Sequence, residues 1–419
     1  MTFEYSKSIV HIPDFLDLHF AEDVVEGALR ETDVKILKVF FEMGSAPGEN
    51  FCSLVYRMKI TYELISSKKR GELSAFVKCL PAIEGVDFLD GLRVFSKEKA
   101  TFEEILPRLS VFLKPGERFS GRIYHSIKRP LNVLAFEDLN VSGYRNASRE
   151  LGLDEAHSRL VMKRIAQFHA ISMHLSKRLT RDSSIMKLYT YGLISTKSVK
   201  PDGFLFNYFA GSAAALLKIV SNWPEYSTIS KKLSRYIGNL GNNLERSNAS
   251  RPDDLFSVLN HGDLWVNNIL FKYDDKGQVQ DCTFIDYQMT VWGSSGLDLN
   301  YFLYSSVQLD VLKSKREELL REYYSNFRAK LAELHYTPLP TFQQVLDEFH
   351  RRAGYGFFAN FGIYPMVLQD KTKYADSSLD NLVDKEFAKK KLEQVFSSKK
   401  LVDTLRYTLK EFDKMGIWD

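Results

Sequence analysis

Cysteine is scarce in this chain, with three in 419 residues, Cys52, Cys79 and Cys282, far apart and each in apolar surroundings. That number and spacing exclude a disulfide framework and a Cys-x-x-Cys metal site, and point instead to reduced, buried thiols. An excess of one charge sign is also missing. Lys and Arg total 57 against 53 Asp and Glu, a net charge of +4 with the two signs interspersed. Nucleic-acid binding needs a concentrated basic stripe, so no nucleic-acid partner is expected. No window approaches the roughly 18 consecutive apolar residues of a membrane span. The opening residues, MTFEYSKSIVHIPDFLDLHF, carry Glu4, Asp14 and Asp17 and no continuous apolar stretch, so a secretory signal is not expected either. Internal repeats and low-complexity tracts are absent. The expectation is a folded cytoplasmic protein without a membrane partner.

Apolar residues make up 44% and charged residues 26% of the chain, and the 30 Phe and 21 Tyr imply an aromatic-rich interior. The length suits two or three domains, or one two-lobed unit, at about 100–200 residues per domain. The first third reads as strands. In LVYRMKITYE, Leu54 to Glu63, Leu54, Tyr56, Met58, Ile60 and Tyr62 share one face, and Arg57, Lys59 and Glu63 lie on the other face or at its end. After the polar turn SSKKRGE comes a second strand, LSAFVKCL, with Lys78 embedded in it. A helix is predicted over Arg93 to Leu109, with Phe95, Phe102, Ile105 and Leu109 on its apolar stripe, followed by strands in RFSGRIYHSI and LNVLAFED. Beyond Asn140 a helical period dominates, as in DEAHSRLVMKRIAQFHAISMHL, where Val161, Ile165, Phe168 and Leu175 form one stripe. The connector EDLNVSG, Glu137 to Gly143, follows a strand and precedes the helical part, and so marks a lobe boundary. The division is then 1–139, strand-rich, and 140–419, mainly helical.

One stretch of the helical part breaks the pattern. LNHGDLWVNNILF, Leu259 to Phe271, leads through the turn DDKG into VQDCTFID, an expected hairpin. Folding it gathers Asp263 and Asn268, before its first strand, with Asp286, at the end of its second. Carboxylate and amide oxygens together make a hard-oxygen site suited to Mg²⁺. His261 is the wrong ligand for that ion, and reads as a backbone-bonding support of the loop or as an incidental surface residue. Glu98 falls on the apolar stripe of its helix and needs a cation, for which Lys78 is the nearest candidate; an ordinary structural salt bridge would account for that pair alone. Together, a lysine held by a helix glutamate, a loop Asp and Asn and a later Asp match the layout of phosphoryl transfer from ATP.

These residues carry a resemblance. HGDLWVNNILF followed by FIDYQMTVWGSSGLDL is similar to the catalytic and metal segments of the aminoglycoside phosphotransferase and choline kinase group. GENFCSLVYRMKI, FSKEKATFEEILP, LAFEDL and IDYQ more closely resemble the insect ecdysteroid-kinase-like family, over about Gly44 to Tyr304. The resemblance implies an α+β, protein-kinase-like two-lobed fold: an antiparallel sheet with one main helix in the N-lobe and a larger helical C-lobe. It implies ATP and Mg²⁺ as cofactors and a small hydroxylated molecule as partner. Asp263 would be the catalytic base, with Asn268 and Asp286 on Mg²⁺. Lys78 would contact the phosphates and Glu98 would hold Lys78. Glu137, Asp138 and Leu139 would meet adenine. Asp298 would brace the loop, and it also suits the N-cap of LNYFLYSS. GSAPGENFCS would cover the phosphates through Gly48 and Asn50 or Ser53, although Pro47 removes one amide donor and an ordinary turn fits as well.

Only eleven residues separate Asp286 from Asp298 and no A-P-E segment follows, so a protein kinase with a long activation loop is disfavoured. Gln288 stands where choline kinases usually carry an acid, which weakens the case for a cationic acceptor such as choline or ethanolamine. RRAGYGFFANFGIYPMVL, Arg351 to Leu368, reads as core or as the wall of an apolar acceptor pocket. The resemblance therefore implies a kinase of hydroxyls on an apolar metabolite, an ecdysteroid or a plant or dietary toxin, with a role in hormone inactivation or detoxification. A silent binding protein of kinase shape and a metal-dependent phosphohydrolase are the alternatives from other classes.

Overall fold

Alternation along the strands decides what the N-terminal sheet covers. In the computed structural model, which describes residues 2–5, 12–44, 54–80, 91–129, 131–179, 187–199, 203–249, 254–368 and 385–418, six strands form one sheet in the order β1-β2-β3-β4-β6-β5. They are β1 (Thr2–Tyr5), β2 (Val34–Met43), β3 (Leu54–Leu64), β4 (Arg70–Leu80), β5 (Ile123–Ile127) and β6 (Asn132–Glu137). β2 to β6 pair antiparallel, the sheet type expected, although β2 was not among the strands read from the sequence, and β1, also unread, joins the edge in parallel with β2.

Successive side chains of a strand point to opposite faces. Val39, Phe41, Met58, Ile60, Ala75, Val77 and Cys79 thus form one apolar layer under the helix Leu18–Leu29. This helix is a second one beside the single main helix expected in the lobe. It approaches so closely that a Cβ on Gly27 would lie 1.9 Å from the Tyr124 carbonyl. The other face of the sheet carries Val55, Phe76, Lys78 and Phe136 toward the centre of the molecule.

The predicted helix over Arg93 to Leu109 is present as Val94–Ala100, a π-helical turn at Thr101–Ile105, and Leu106–Ser110. Phe95, Phe102, Ile105 and Leu109 are all buried, as the stripe required.

Beyond the sheet the chain is mainly helical. Glu155–Leu179 is its longest helix along with Leu309–Glu333. Asp154 accepts the His157 N–H at 3.0 Å, which satisfies one of the first-turn donors and starts the former helix. Its stripe of Val161, Ile165 and Phe168 is fully buried. Burial of such side chains stabilises the fold by roughly 1.5–3 kcal/mol each.

Three short strand pairings interrupt this region. β9 (Ile269–Tyr273) and β10 (Val279–Phe284) form the expected antiparallel hairpin, and β7 (Tyr144–Asn146) adds to its other edge, tying the connector to the hairpin. β8 (Ser257–Asn260) pairs with β11 (Val291–Ser294). Both cysteines among the described residues, Cys79 and Cys282, are free and buried. None of the described helices is long and apolar enough to cross a membrane.

Candidate active site

Lys78 is on the face of β4 opposite Val77 and Cys79, and its ammonium reaches across the molecule. Its Nζ lies 2.7 Å from Glu98 Oε2 and 2.7 Å from Asp286 Oδ1, so a strand, a helix and the post-hairpin loop meet at one atom. Gln288 completes the group: its Oε1 accepts from Lys78 at 3.4 Å and its Nε2 donates to Asp286 Oδ2 at 3.3 Å. Burial alone would depress the Lys78 pKa, but Asp286 and Glu98 together hold the ammonium above its usual value. Burial pushes the Glu98 carboxyl up, and Lys78 opposes that shift. Asp286 takes a left-handed backbone conformation at φ 65°, uncommon for a residue with a Cβ. It is held there by the β10 strand on one side and the turn Tyr287–Met289 on the other.

The segment before β9 is built differently. Asp298, in the first turn of the helix Gly296–Ser305, accepts the backbone N–H groups of His261 at 2.6 Å and Gly262 at 2.9 Å, and meets His169 Nε2 at 3.1 Å. The expected N-cap role is therefore corrected: Ser295 occupies the cap, and the Asp298 carboxylate is spent on another loop. His261 supports the loop, as one of its two readings proposed. Its Nδ1 faces the Asp263 N–H at 3.3 Å and so accepts, which leaves Nε2–H to donate to the Ile285 carbonyl at 2.9 Å. Burial pushes the His261 pKa down, in keeping with a neutral ring. Gly262 has φ +81°, and a Cβ there would stand 2.0 Å from the Met289 carbonyl oxygen, so only glycine lets this loop lie against the next.

Asp263 emerges from that loop with both oxygens oriented. Tyr301 donates to Oδ1 at 2.6 Å and Asn268 Nδ2 donates to Oδ2 at 3.0 Å. Burial, with Asp286 adding to it, pushes the Asp263 carboxyl up to about 7 against those two hydrogen bonds and the pull of Lys78. Asn268 also donates to the Asp263 carbonyl at 2.9 Å, so its amide nitrogen is committed and its oxygen is turned away from that carboxylate. The Ile285 N–H donates to the Asn268 carbonyl at 3.0 Å, joining the loops before and after the hairpin.

The connector is pinned through its side chains. Glu137 bonds Arg118 Nη1 at 2.8 Å, which holds its carboxyl below the usual range although burial works the other way. Asp138 is buried and accepts from Arg57 Nε and Ser74 Oγ, each at 2.7 Å. The Leu139 carbonyl accepts from Ser142 and Tyr144 N–H groups inside the turn.

A cleft of about 570 Å³ lies between the sheet and the helices. Lys78, Glu98, Glu137, Asp138, Leu139, Asp263, Asn268 and Asp286 line it. Asp298 stays behind the loop it holds. Gly48, Asn50 and Ser53 lie outside the described residues. The segment Arg351 to Leu368 is chiefly core, with Phe357, Phe358 and Phe361 buried, yet Ile363 and Met366 reach the cleft wall.

Sequence reasoning missed Tyr301, His169, Lys97 and Tyr208. Tyr301 and His169 sit on helical stripes that look like ordinary core. Lys97 is fully buried and donates to the Tyr191 carbonyl at 2.6 Å; burial pushes its pKa down to about 7. Its neighbour Glu98 was detectable as a charge on an apolar stripe, and Lys97 was not.

A search of curated proteins finds no match. Among solved structures, a Plasmodium vivax ethanolamine kinase aligns at 14% sequence identity over 89% of this chain and 87% of that one, with a TM-score of 0.43. The model of the ecdysteroid kinase-like family matches residues 47–336, well over half of the chain. With a lysine, a helix glutamate, a loop aspartate and asparagine, and a second aspartate gathered at one cleft, the chain belongs to the ecdysteroid kinase-like family.

Proposed function

We propose that this protein is an ATP-dependent small-molecule kinase that transfers the γ-phosphoryl group to a hydroxyl of an apolar metabolite, an ecdysteroid or a related steroid or xenobiotic. One observation carries the reading: the Lys78 ammonium bridges Glu98 and Asp286 in the same cleft that Asp263 and Asn268 face. In this reading residues 1–139 bind the nucleotide and residues 140–419 supply the catalytic loop, the metal ligands and the acceptor region. A cytoplasmic setting suits the free buried thiols.

Glu98 keeps Lys78 in place while its ammonium exchanges Asp286 for the α and β phosphates. Backbone groups of Glu137, Asp138 and Leu139 meet adenine at the connector. The donor set fits Mg²⁺, since Asp286 offers a carboxylate 22% exposed toward the cleft and Asn268 an amide oxygen turned away from Asp263. Mg²⁺ held by those two residues would neutralise charge on the β and γ phosphates. Asp263, raised toward neutrality and oriented by Tyr301 and Asn268, takes the proton of the acceptor hydroxyl as that oxygen attacks phosphorus. Asp298 keeps the loop backbone in register throughout.

The acceptor side supports an apolar, uncharged molecule. Leu193, Leu205, Phe209, Ile363 and Met366 line it. Gln288 in place of an acid disfavours a choline- or ethanolamine-type acceptor, the second reading. Incubation with MgATP and a panel of hydroxylated steroids, plant glycosides, choline and ethanolamine tests both. The expected result is ADP together with a mass gain of one phosphate on a neutral apolar alcohol. Gain on choline alone would favour the second reading. Phosphate release from a phosphoester without ATP would indicate a phosphohydrolase, and no MgATP binding by calorimetry a silent binding protein.

A further inference from the structure

A buried hydroxyl without a hydrogen-bond partner costs stability, so one that persists beside a cavity marks a place where a ligand completes it. Two residues that carry such groups line the cleft: Ser120, next to the Gly121 that packs on Glu137 and Leu139, and Tyr208. The Tyr208 group lies on the acceptor side. Tyr208 sits on the helix Phe204–Val220 with Leu205 and Phe209, at the helical spacing that puts all three on one face, and all three line the cleft. Ile363 and Met366 line the same cleft from another pair of helical turns. Their placement is set by the π-helical turn Ala359–Ile363, whose Phe361 carbonyl accepts from Ser212 Oγ at 2.5 Å and so fixes it to the Tyr208 helix. A phenol is thus held in an otherwise apolar wall, with its ring packed edge-on against Phe209 at 5.7 Å and its hydroxyl unanswered by protein.

We propose that Tyr208 is a specificity-determining residue, whose hydroxyl bonds a second oxygen of a large, neutral, mostly apolar alcohol while the reacting hydroxyl lies at Asp263. The inference rests on the kinase reading and narrows its acceptor to molecules with at least two oxygens separated by an apolar body. A small acceptor with one hydroxyl would reach Asp263 and leave Tyr208 unanswered. The phenol is a neutral donor and acceptor, so it recognises a hydroxyl or a carbonyl and gains nothing from a quaternary ammonium head beyond its ring face.

The test compares a polyhydroxylated steroid with its counterpart carrying a single hydroxyl, on the full chain and on Tyr208→Phe. In the native protein the polyhydroxylated compound is the better acceptor. In Y208F the ratio of kcat/KM values for the two compounds falls about five- to tenfold, the range of one neutral hydrogen bond, mainly through KM. The thermal midpoint of Y208F stays level or rises, because the change removes an unsatisfied buried hydroxyl; a structural role for the phenol would lower it. An unchanged ratio in a protein that phosphorylates both compounds overturns the Tyr208 assignment and leaves the kinase reading standing. If the native protein phosphorylates neither, the kinase reading for such acceptors falls. Calorimetric titration of the same two steroids into both proteins then decides Tyr208: a binding preference lost in Y208F upholds its role, and the absence of any preference ends it.

Discussion

Two aspartates twelve positions apart are held by opposite kinds of partner. Asp298 is 1% exposed and tied to two backbone amides and a buried histidine, none of which can leave without unfolding something. Asp286 is partly exposed on a left-handed residue, and its main tie is a lysine ammonium on the end of a flexible side chain. The first arrangement makes a fixed loop. The second, in the proposed function, makes a bridge that nucleotide breaks, with Lys78 keeping Glu98 when it lets Asp286 go. The same cleft therefore has one side set by folding and one side set by charge exchange.

The sharpest way to break that contrast is to remove each aspartate. Asp298→Ala leaves two loop amides and His169 without their acceptor, and is expected to cost about 3–5 kcal/mol in a urea unfolding curve, as loss of a buried hydrogen-bonded charge does. Asp286→Ala is expected to change stability by less than about 1 kcal/mol, because Lys78 keeps Glu98 and the site is partly exposed. Its loss should appear instead as weakened Mg²⁺-dependent ATP affinity in calorimetry. Equal stability costs for the two variants would remove the distinction between fixed loop and exchangeable bridge.

Asp263→Asn is expected to reduce turnover by roughly 10²- to 10⁴-fold, the usual contribution of a general base, with ATP binding largely retained. Near-normal turnover would take Asp263 out of that role. The pH dependence follows from a carboxyl pushed up to about 7. The base must be ionised, so kcat should rise with pH through about 7 and then level, and an activity that falls across that interval would contradict the assignment. The smallest effect concerns Tyr301, whose hydrogen bond lowers the Asp263 pKa. Tyr301→Phe should move the inflection to higher pH, while a shift to lower pH would mean that the bond favours the protonated acid.

The same contrast explains what the sequence disclosed. Lys78 and Glu98 stood out because a charge on an apolar strand or stripe is costly and demands an opposite partner. Asp263, Asn268 and Asp286 stood out because a hairpin flanked by acids and amides has few other uses, and four of the six strands of the sheet were located from the sequence. Asp298 was found through the family resemblance, yet its local sequence suggested a helix cap; the helix begins earlier, at Gly296, and the carboxylate serves a loop 36 residues upstream. β1 escaped notice because a four-residue edge strand carries too little alternation, β2 because a bulge between Ile36 and Lys38 interrupts its alternation, and the helix Leu18–Leu29 because its short amphipathic pattern lies in a segment read only for targeting signals. Tyr208, Tyr301 and His169 were silent for a shared reason: an aromatic on an apolar helical face has the same pattern whether its polar atom is idle, structural or aimed at a cavity. Only the position of that atom separates the cases.

The contact between Gly262 and the Met289 carbonyl has a practical consequence for altering this protein. Two loops that leave no room for a single methyl group between them form one seam, so a substitution at Gly262 displaces both the loop that carries Asp263 and the turn that follows Asp286. Variants meant to change what the cleft binds are best drawn from the helical wall of Leu205, Phe209, Ile363 and Met366, where replacing one side chain does not disturb that seam.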